Sequence, residues 1–188
     1  RRLFFLSGPR NDPAATAARP WKRDPSLLHA WSVGGTGYPF VDANMRELLS
    51  TGFMSNRGRQ NVASFLVKDL ELDWRLGGEL FESLLLDHDP ASNWGNWTYV
   101  AGVGADPRED RYFLIPKQAK DYDPKGDYMR HWLPEIAGAP TTALFDGTRL
   151  TDGDRKGRYP APVALLLAAR QNGGGGGGGG RGGGGGGG

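Results

Sequence analysis

Two aspartates flank a histidine at Asp87, His88 and Asp89, and these are the first residues whose types suggest chemistry. Carboxylate oxygens and imidazole are common metal ligands. The 188-residue sequence holds only two other histidines, both distant, and no cysteine, so a transition-metal site would lack its usual ligands. We therefore expect no metal, interpret the two aspartates as helix caps, and expect Arg59 to be the bidentate partner of a buried Asp87.

Tryptophans and interleaved cations form a second signal. Each of the six tryptophans would bury a large apolar area, and the sequence alone does not separate a packed tryptophan from an electron relay. The cations and rings that alternate are Arg57, Arg59, Lys117, Lys120 and Arg130 with Trp94, Tyr99 and Tyr112. A site for single-stranded or flipped-out bases combines these two types, at roughly 1–3 kcal/mol per stacked base, but composition alone favours a solvated mixed-charge surface.

Composition and short motifs exclude several classes of protein. The 23 basic and 21 acidic residues give a net charge of +2, too small to indicate a nucleic-acid or membrane partner by itself. The apolar runs are too short for a membrane span. Without cysteine there are no disulfides or thiolate chemistry, and no Walker loop, dinucleotide fingerprint or Ser/His/Asp arrangement is recognisable.

Helices are predicted to position these residues, because apolar side chains recur at helical spacing. The predicted helices run from Leu27 to a glycine stop at Gly34, from Val41 to Thr51, from the N-cap Ser55 to Leu70, and from Gly78 to Leu86. Residues 87–99 are too polar and aromatic for a simple amphipathic helix, residues 102–111 and 117–126 are predicted loops, and Asp127 is predicted to cap a short helix. No sustained alternation indicates a strand, so the predicted fold class is all-α.

The predicted organisation has four parts: an irregular connecting segment at 1–26, a helical domain at 27–136, a loop-rich extension at 137–172 and a tail at 173–188. The tail consists of fifteen glycines and one arginine. Glycine loses the most conformational entropy on ordering and has no side chain to bury, so we expect a disordered tail. Because the first residue is Arg rather than Met, we also expect the sequence to be a fragment.

Several long stretches form specific motifs. They are Thr36–Leu48, Gly52–Leu66, Lys68–Leu70, Asp73–Arg75, Asp87–Trp97, Lys117–Arg130 and Trp132–Glu135. Together they cover most of residues 19–136 and resemble the FAD-binding domain of the photolyase/cryptochrome family, specifically its DASH branch. The resemblance implies an incomplete all-helical domain that holds FAD in a folded conformation beside a cavity for a cyclobutane pyrimidine dimer flipped out of DNA.

The resemblance also implies roles for individual residues. The implied cofactor-binding residues are Asn56, Arg59, Asp87, Asp89 and Asn93. The implied DNA or lesion contacts are Asn56, Arg57, Gln60, Tyr99 and Gln118. Trp97, Trp74 and Trp21 match, in outward order, the relay that photoreduces the flavin. An antenna chromophore, methenyltetrahydrofolate, is expected only on an N-terminal domain that this sequence lacks.

The implied activity is light-driven repair, in which reduced FAD passes an electron to the dimer and the ring splits without net redox change. Enzymes that repair (6-4) photoproducts have proton-donating histidines where this chain has Asn56 and Gln60, and an amide cannot supply that proton. Tyr99 stands where many dimer photolyases have a tryptophan, which favours single-stranded substrate, since flipping a base out of a duplex costs a few kcal/mol.

Two alternatives stay open: a blue-light receptor that signals without repair, and a fragment without activity. Asn93 rather than Asp favours repair, because a carboxylate there could protonate the flavin. The expected partner is single-stranded DNA, bound by a monomer without metal or membrane. The sequence leaves the compartment open among plastid, mitochondrion and nucleus.

Overall fold

The computed structural model describes residues 20–103 and 112–163. The glycine tail, most of the connecting segment and most of the predicted 102–111 loop lie outside the described residues. The helices are α1 Pro25–Ser32, α2 Pro39–Thr51, α3 Asn56–Ser64, α4 Trp74–Leu84, α5 Pro90–Ala101, α6 Ile115–Tyr122, α7 Asp127–Trp132, α8 Thr141–Phe145 and α9 Asp152–Arg155. Within the described ranges no strand forms, and an isolated bridge joins Lys22 to Leu72. The all-α prediction is therefore confirmed.

Short helical turns extend or link these helices. A π-helical turn, Phe65–Asp69, continues α3, and 3-10 turns occur at Pro134–Ile136 and Gly147–Arg149. In the part of the chain that the structure describes, no helix has the length and hydropathy of a membrane span.

Capping side chains set where the early helices begin. Ser55 caps α3 as predicted, because its hydroxyl accepts a hydrogen bond from the Gly58 N–H. α1 begins at Pro25, inside the segment predicted to be irregular, and the Asp24 carboxylate accepts two backbone N–H groups. Proline is tolerated at the first helical position because its missing N–H would have no partner within the helix.

The second half of the chain is more helical than predicted, and the predicted loop at 117–126 and the predicted cap Asp127 were wrong. The polar, aromatic stretch after Asp89 forms α5, with the Asp89 carboxylate accepting the Ser92 N–H at 2.7 Å. Residues 115–122, largely predicted as loop, form α6, which buries Ile115 and Ala119 on one face. Gly126, rather than Asp127, occupies the cap position before α7.

The C-terminal segment joins the same core as the earlier helices. The fully buried Asp42 carboxylate accepts hydrogen bonds from the Thr36 hydroxyl, the Gly37 N–H and the Tyr159 hydroxyl. Burial raises the pKa of Asp42, and these hydrogen bonds oppose that shift. Val163 donates its N–H to the Thr36 carbonyl, so residues 159–163 are fastened to the turn that precedes α2.

Close contact between α4 and α5 depends on two consecutive glycines. A Cβ at Gly77 would lie 2.2 Å from Trp97 Cη2, and one at Gly78 would lie 2.8 Å from Trp94 Cζ3. The indole rings of α5 therefore rest directly on the backbone of α4. Trp97 is further fixed by Phe81, whose ring centroid is 5.2 Å away, and by Trp31 at 6.3 Å.

Substituting Gly77→Ala should therefore lower the free energy of unfolding by about 1–3 kcal/mol, because the added methyl overlaps a ring that cannot move aside. Urea denaturation measures the loss, and tryptophan fluorescence should shift with it. Gly138→Ala is the matched control, since a Cβ there meets nothing within 4 Å. Equal stability of the two variants would contradict the close α4–α5 contact.

Candidate functional site

A cavity of about 210 Å³ opens among α3, α4 and α5. The sequence-predicted site residues that line it are Asn56, Arg59, Gln60, Asp87, Asp89, Asn93, Trp97 and Tyr99. Its apolar walls come from Ala63, Phe81, Leu85, Trp97, Val100 and Phe113. The structure therefore brings the expected cofactor residues together with Trp97, whereas Arg57, Gln118, Trp74 and Trp21 lie outside the lining.

Arg59 and Asp87 form the expected ion pair, but the pair is not buried. Arg59 Nη2 donates to both carboxylate oxygens of Asp87 at 2.8 Å, while its Nε donates to the Met54 carbonyl. The Asp87 side chain is 52% exposed and that of Arg59 is 26% exposed. The expectation of a buried carboxylate was thus wrong, and pairs this exposed typically contribute about 0–1 kcal/mol.

Asp89 and Asn93 lie one helical turn apart at the start of α5. Asp89 is the cap of α5, as predicted, whereas Asp87 caps neither neighbouring helix. Asn93 is only 9% exposed, and its Nδ2 donates to the Gly78 carbonyl at 3.0 Å. This bond fixes the amide at the wall of the cavity, next to the glycine pair of α4.

Sequence reasoning missed several lining residues, although helical spacing signals two of them. Ser92 and Asn96 follow Asp89 and Asn93 by three residues, so they share a face of α5. His88, whose residue type alone suggests a metal ligand, also lines the cavity. In the described residues no group of three or more His, Cys, Asp or Glu side chains is placed to hold a metal ion.

Two lining side chains carry buried polar atoms without a hydrogen-bond partner among the described residues: Gln60 Oε1 and His88 Nδ1. Leaving such an atom unsatisfied costs about 1–3 kcal/mol. A ligand with hydrogen-bonding edges would remove that cost. The cavity thus combines apolar walls with unsatisfied polar atoms, as a site for a flat heterocyclic ring requires.

The three tryptophans that the resemblance assigns to a relay differ in burial. Trp97 is 2% exposed and Trp74 is fully buried, whereas Trp21 is partly exposed. The segment that carries Trp21 is fastened beside the start of α4, because the Asp73 N–H donates to the Lys22 carbonyl at 3.1 Å. Of the three side chains, Trp21 is therefore the most exposed to solvent, and it is also the one that the resemblance places farthest from the flavin.

The buried carboxylate of Asp73 links the start of α4 to the segment that carries Trp21. Asp73 is 1% exposed and accepts hydrogen bonds from Arg75 Nε and Nη2 at 2.8 and 2.7 Å, and from Arg23 Nη2 at 3.2 Å. Burial raises the pKa of Asp73, but the hydrogen bonds from the two arginines outweigh it, so this pKa lies below its ordinary value.

Comparison with known proteins identifies the family. The family model for the FAD binding domain of DNA photolyase matches residues 8–173. The chain belongs to the photolyase/cryptochrome family. It is 63% identical over 134 residues to the chloroplastic/mitochondrial cryptochrome DASH of Oryza sativa subsp. japonica. The aligned residues make up 71% of this chain and 22% of the rice protein. Several relatives of this kind make it a DASH-type cryptochrome, as the resemblance had implied.

Solved structures agree with this assignment. A Synechocystis cryptochrome aligns with a TM-score of 0.72 at 52% identity, over 81% of this chain and 34% of that one. An archaeal photolyase from Sulfolobus tokodaii, solved with two FAD molecules, aligns with a TM-score of 0.74 at 34% identity, over 90% of this chain and 40% of that one. The chain spans 22–33% of the length of curated DASH relatives such as those from rice and Gloeobacter violaceus.

The cavity fits the isoalloxazine ring of FAD, the cofactor of this domain family. Phe81, Leu85 and Trp97 supply an apolar wall for a flat tricyclic ring. Arg59 and the unsatisfied Nδ1 of His88 would supply partners for its polar edge. The described residues therefore offer both of the surfaces that the ring requires.

The lowered pKa of Asp73 predicts a pH-dependent contribution to stability. A carboxylate whose pKa is lower in the folded state stabilises the fold above its unfolded pKa, near 3.8, and loses that contribution as the pH falls through the folded value. Asp73→Asn should therefore lower the free energy of unfolding by about 2 kcal/mol at pH 7, because hydrogen bonds to a charged group are lost. The difference from wild type should shrink below about pH 4.

Denaturant unfolding of the full chain at several pH values measures this difference. Asp152→Asn, at a fully exposed carboxylate, is the control and should change stability by less than about 0.5 kcal/mol. A loss for Asp73→Asn that stays constant down to pH 2.5 would contradict the assignment.

Proposed function

We propose that the protein to which this domain belongs repairs cyclobutane pyrimidine dimers in single-stranded DNA by light-driven electron transfer from reduced FAD. The observation that carries the proposal is the convergence of Arg59, Asp87, Asp89, Asn93 and Trp97 on one cavity. Asn56, Gln60 and Tyr99, the residues that the resemblance assigns to the lesion, line the same cavity. Cofactor and lesion would then lie within one short electron-transfer distance.

Bound FAD would supply a donor that light excites to transfer an electron. The apolar side chains Phe81, Leu85 and Trp97 would hold its ring and exclude water from its face. Arg59 would donate N–H groups to the oxygen-bearing edge, oriented by its bonds to Met54 and Asp87. The amide of Asn93, fixed on the Gly78 carbonyl, would stand at the ring without providing an ionisable proton.

On the lesion side the proposed chemistry requires binding without proton transfer. Asn56 and Gln60 lie on neighbouring turns of α3 and can each donate and accept hydrogen bonds at the edges of pyrimidines. Neither amide titrates, so neither transfers a proton, and ring splitting by electron transfer requires no proton donor. Tyr99 would stack on one base of the dimer, and a single-stranded substrate supports this because its bases are already unpaired.

Trp97, Trp74 and Trp21 are proposed to carry electrons inward to the cofactor from solvent. Trp97 lines the cavity and Trp74 is fully buried on the neighbouring helix. The bond between Asp73 and Lys22 keeps the partly exposed Trp21 near the start of α4. Successive short hops would be faster than one long transfer.

The remaining parts of the proposal concern the intact protein. DNA is the proposed partner and the monomer is the proposed state. A plastid or mitochondrial location is compatible with the name of the rice relative. An antenna chromophore, methenyltetrahydrofolate, would bind to a separate domain.

The proposal predicts that the intact, FAD-loaded protein under blue light restores oligonucleotides that contain one dimer. Single strands should be repaired faster than duplexes, by roughly the 10-fold or more that a few kcal/mol of flipping cost implies. Absorbance recovery at 260 nm and chromatography of the product measure repair. If FAD binds and photoreduces but dimers stay intact, the repair proposal fails and the photoreceptor alternative is supported.

A second prediction separates the relay from repair. Trp97→Phe should abolish photoreduction of the flavin, yet retain repair once the flavin is reduced chemically. Trp132→Phe, at a partly buried tryptophan on α7, is the matched control and should change neither activity. Loss of repair by chemically reduced Trp97→Phe protein, at wild-type FAD content, would contradict the relay assignment.

A further inference from the structure

An exposed aromatic ring lies close to the cavity but outside its lining. Tyr122 ends α6 and is 53% exposed. The guanidinium carbon of Arg57 lies 4.9 Å from the centroid of the Tyr122 ring and 5.8 Å from that of Phe113. Because Phe113 lines the cavity, a single arginine side chain separates Tyr122 from the lining.

Core packing does not explain this ring. Tyr122 follows the buried Ile115 and Ala119 at helical spacing, so the apolar pattern of α6 assigns it to the buried face. The structure nevertheless leaves half of the ring in solvent, where it is not among the side chains packed on the core. Sites that bind single-stranded nucleic acid combine exposed aromatic rings with neighbouring cations, as Tyr122 and Arg57 do.

Arg57 is held in place by the two rings. A guanidinium over an aromatic face gains about 0.5–1 kcal/mol at an exposed site. Contacts of this kind occupy its faces and leave the N–H groups at its edge to donate to a phosphate. The arginine is therefore orientated before any ligand arrives, which reduces the entropy lost on binding.

The surrounding charges favour an anionic chain. Lys117 pairs with Asp121 at 2.8 Å, so these two charges offset each other. Asp123 is only 6% exposed and accepts backbone N–H groups of α7. Arg57 therefore leaves an uncompensated positive charge beside Tyr122.

Gln118 adds a hydrogen-bonding group to the same surface. It precedes Tyr122 by one helical turn, so the two side chains are neighbours on α6. Its Oε1 is buried and has no hydrogen-bond partner among the described residues. An amide can read the edge of a base as donor or acceptor.

We infer that Tyr122, Arg57 and Gln118 form a subsite for one unpaired nucleotide next to the nucleotides in the cavity. The base stacks on the exposed face of Tyr122, Arg57 donates to its phosphate, and Gln118 contacts its edge. A base within a duplex is already stacked on both faces, so this subsite selects single strands. The inference rests on the proposed function for the class of ligand and goes beyond it by assigning a stacking site outside the cavity.

Binding of undamaged oligothymidylate to the intact, FAD-loaded protein in the dark tests the subsite. By fluorescence anisotropy, Tyr122→Leu should weaken binding about tenfold, within the range for loss of one aromatic–base stack, whereas Tyr122→Phe should stay within about twofold. A plot of the logarithm of the binding constant against the logarithm of the salt concentration should keep its slope in Tyr122→Leu. In Arg57→Gln the magnitude of that slope should fall by about one unit. Phe53→Leu is the matched control, because Phe53 is 51% exposed and its ring lies beside Arg59 instead.

A positional probe separates stacking from a general loss of structure. 2-Aminopurine is placed at each position flanking a dimer, and its fluorescence should be quenched at one position by wild type and by Tyr122→Phe, but not by Tyr122→Leu. Wild-type affinity in Tyr122→Leu, or unchanged quenching, would overturn the inference. Absent repair with a persistent Tyr122 effect would instead refute the proposed function and leave the subsite standing.

Discussion

The contact of two tryptophans with a bare helix backbone is the constraint on which the site depends. Gly77 and Gly78 allow α5 to approach α4 so closely that Trp97 and Trp94 rest where Cβ atoms would otherwise lie. This approach also brings Asn93 within 3.0 Å of the Gly78 carbonyl. One packing contact thus orientates the apolar wall of the proposed flavin site, the Asn93 amide and Trp97, the innermost residue of the proposed relay.

Because of that contact, the site and the core share side chains. Phe81, Leu85 and Trp97 belong to the buried core and also line the cavity. A ligand that fills the cavity would add contacts to residues that already stabilise the fold, so binding and stability are coupled. Conversely, a substitution that weakened the packing of α4 against α5 would widen the cavity at Trp97 and so weaken ligand binding.

The sequence predicted the fold class and the early helices well, for identifiable physical reasons. Ser55 is a clear cap, and Val62, Phe65 and Leu66 recur at helical spacing. Of the later helices, α5 was predicted only through its cap Asp89 and α6 was predicted as loop, because their buried faces are unusual. α5 buries Asn93 and two tryptophans rather than aliphatic side chains, and α6 has only Ile115 and Ala119 buried among charged residues. In both cases tertiary contacts outweigh the local pattern.

Apart from the Arg59–Asp87 pair, the site was predictable only through the family resemblance, and its electrostatics only in part. Asp73 and Asp87 both pair with arginine, yet one is 1% exposed and the other 52%. Spacing cannot distinguish them, because burial depends on which helices close over the pair. The difference separates their roles: Asp73 already stabilises the helix junction, whereas the Arg59–Asp87 pair is weak in water and would strengthen when a ligand excluded solvent from it. Ligand binding, more than folding, therefore gains from the pair beside the cavity.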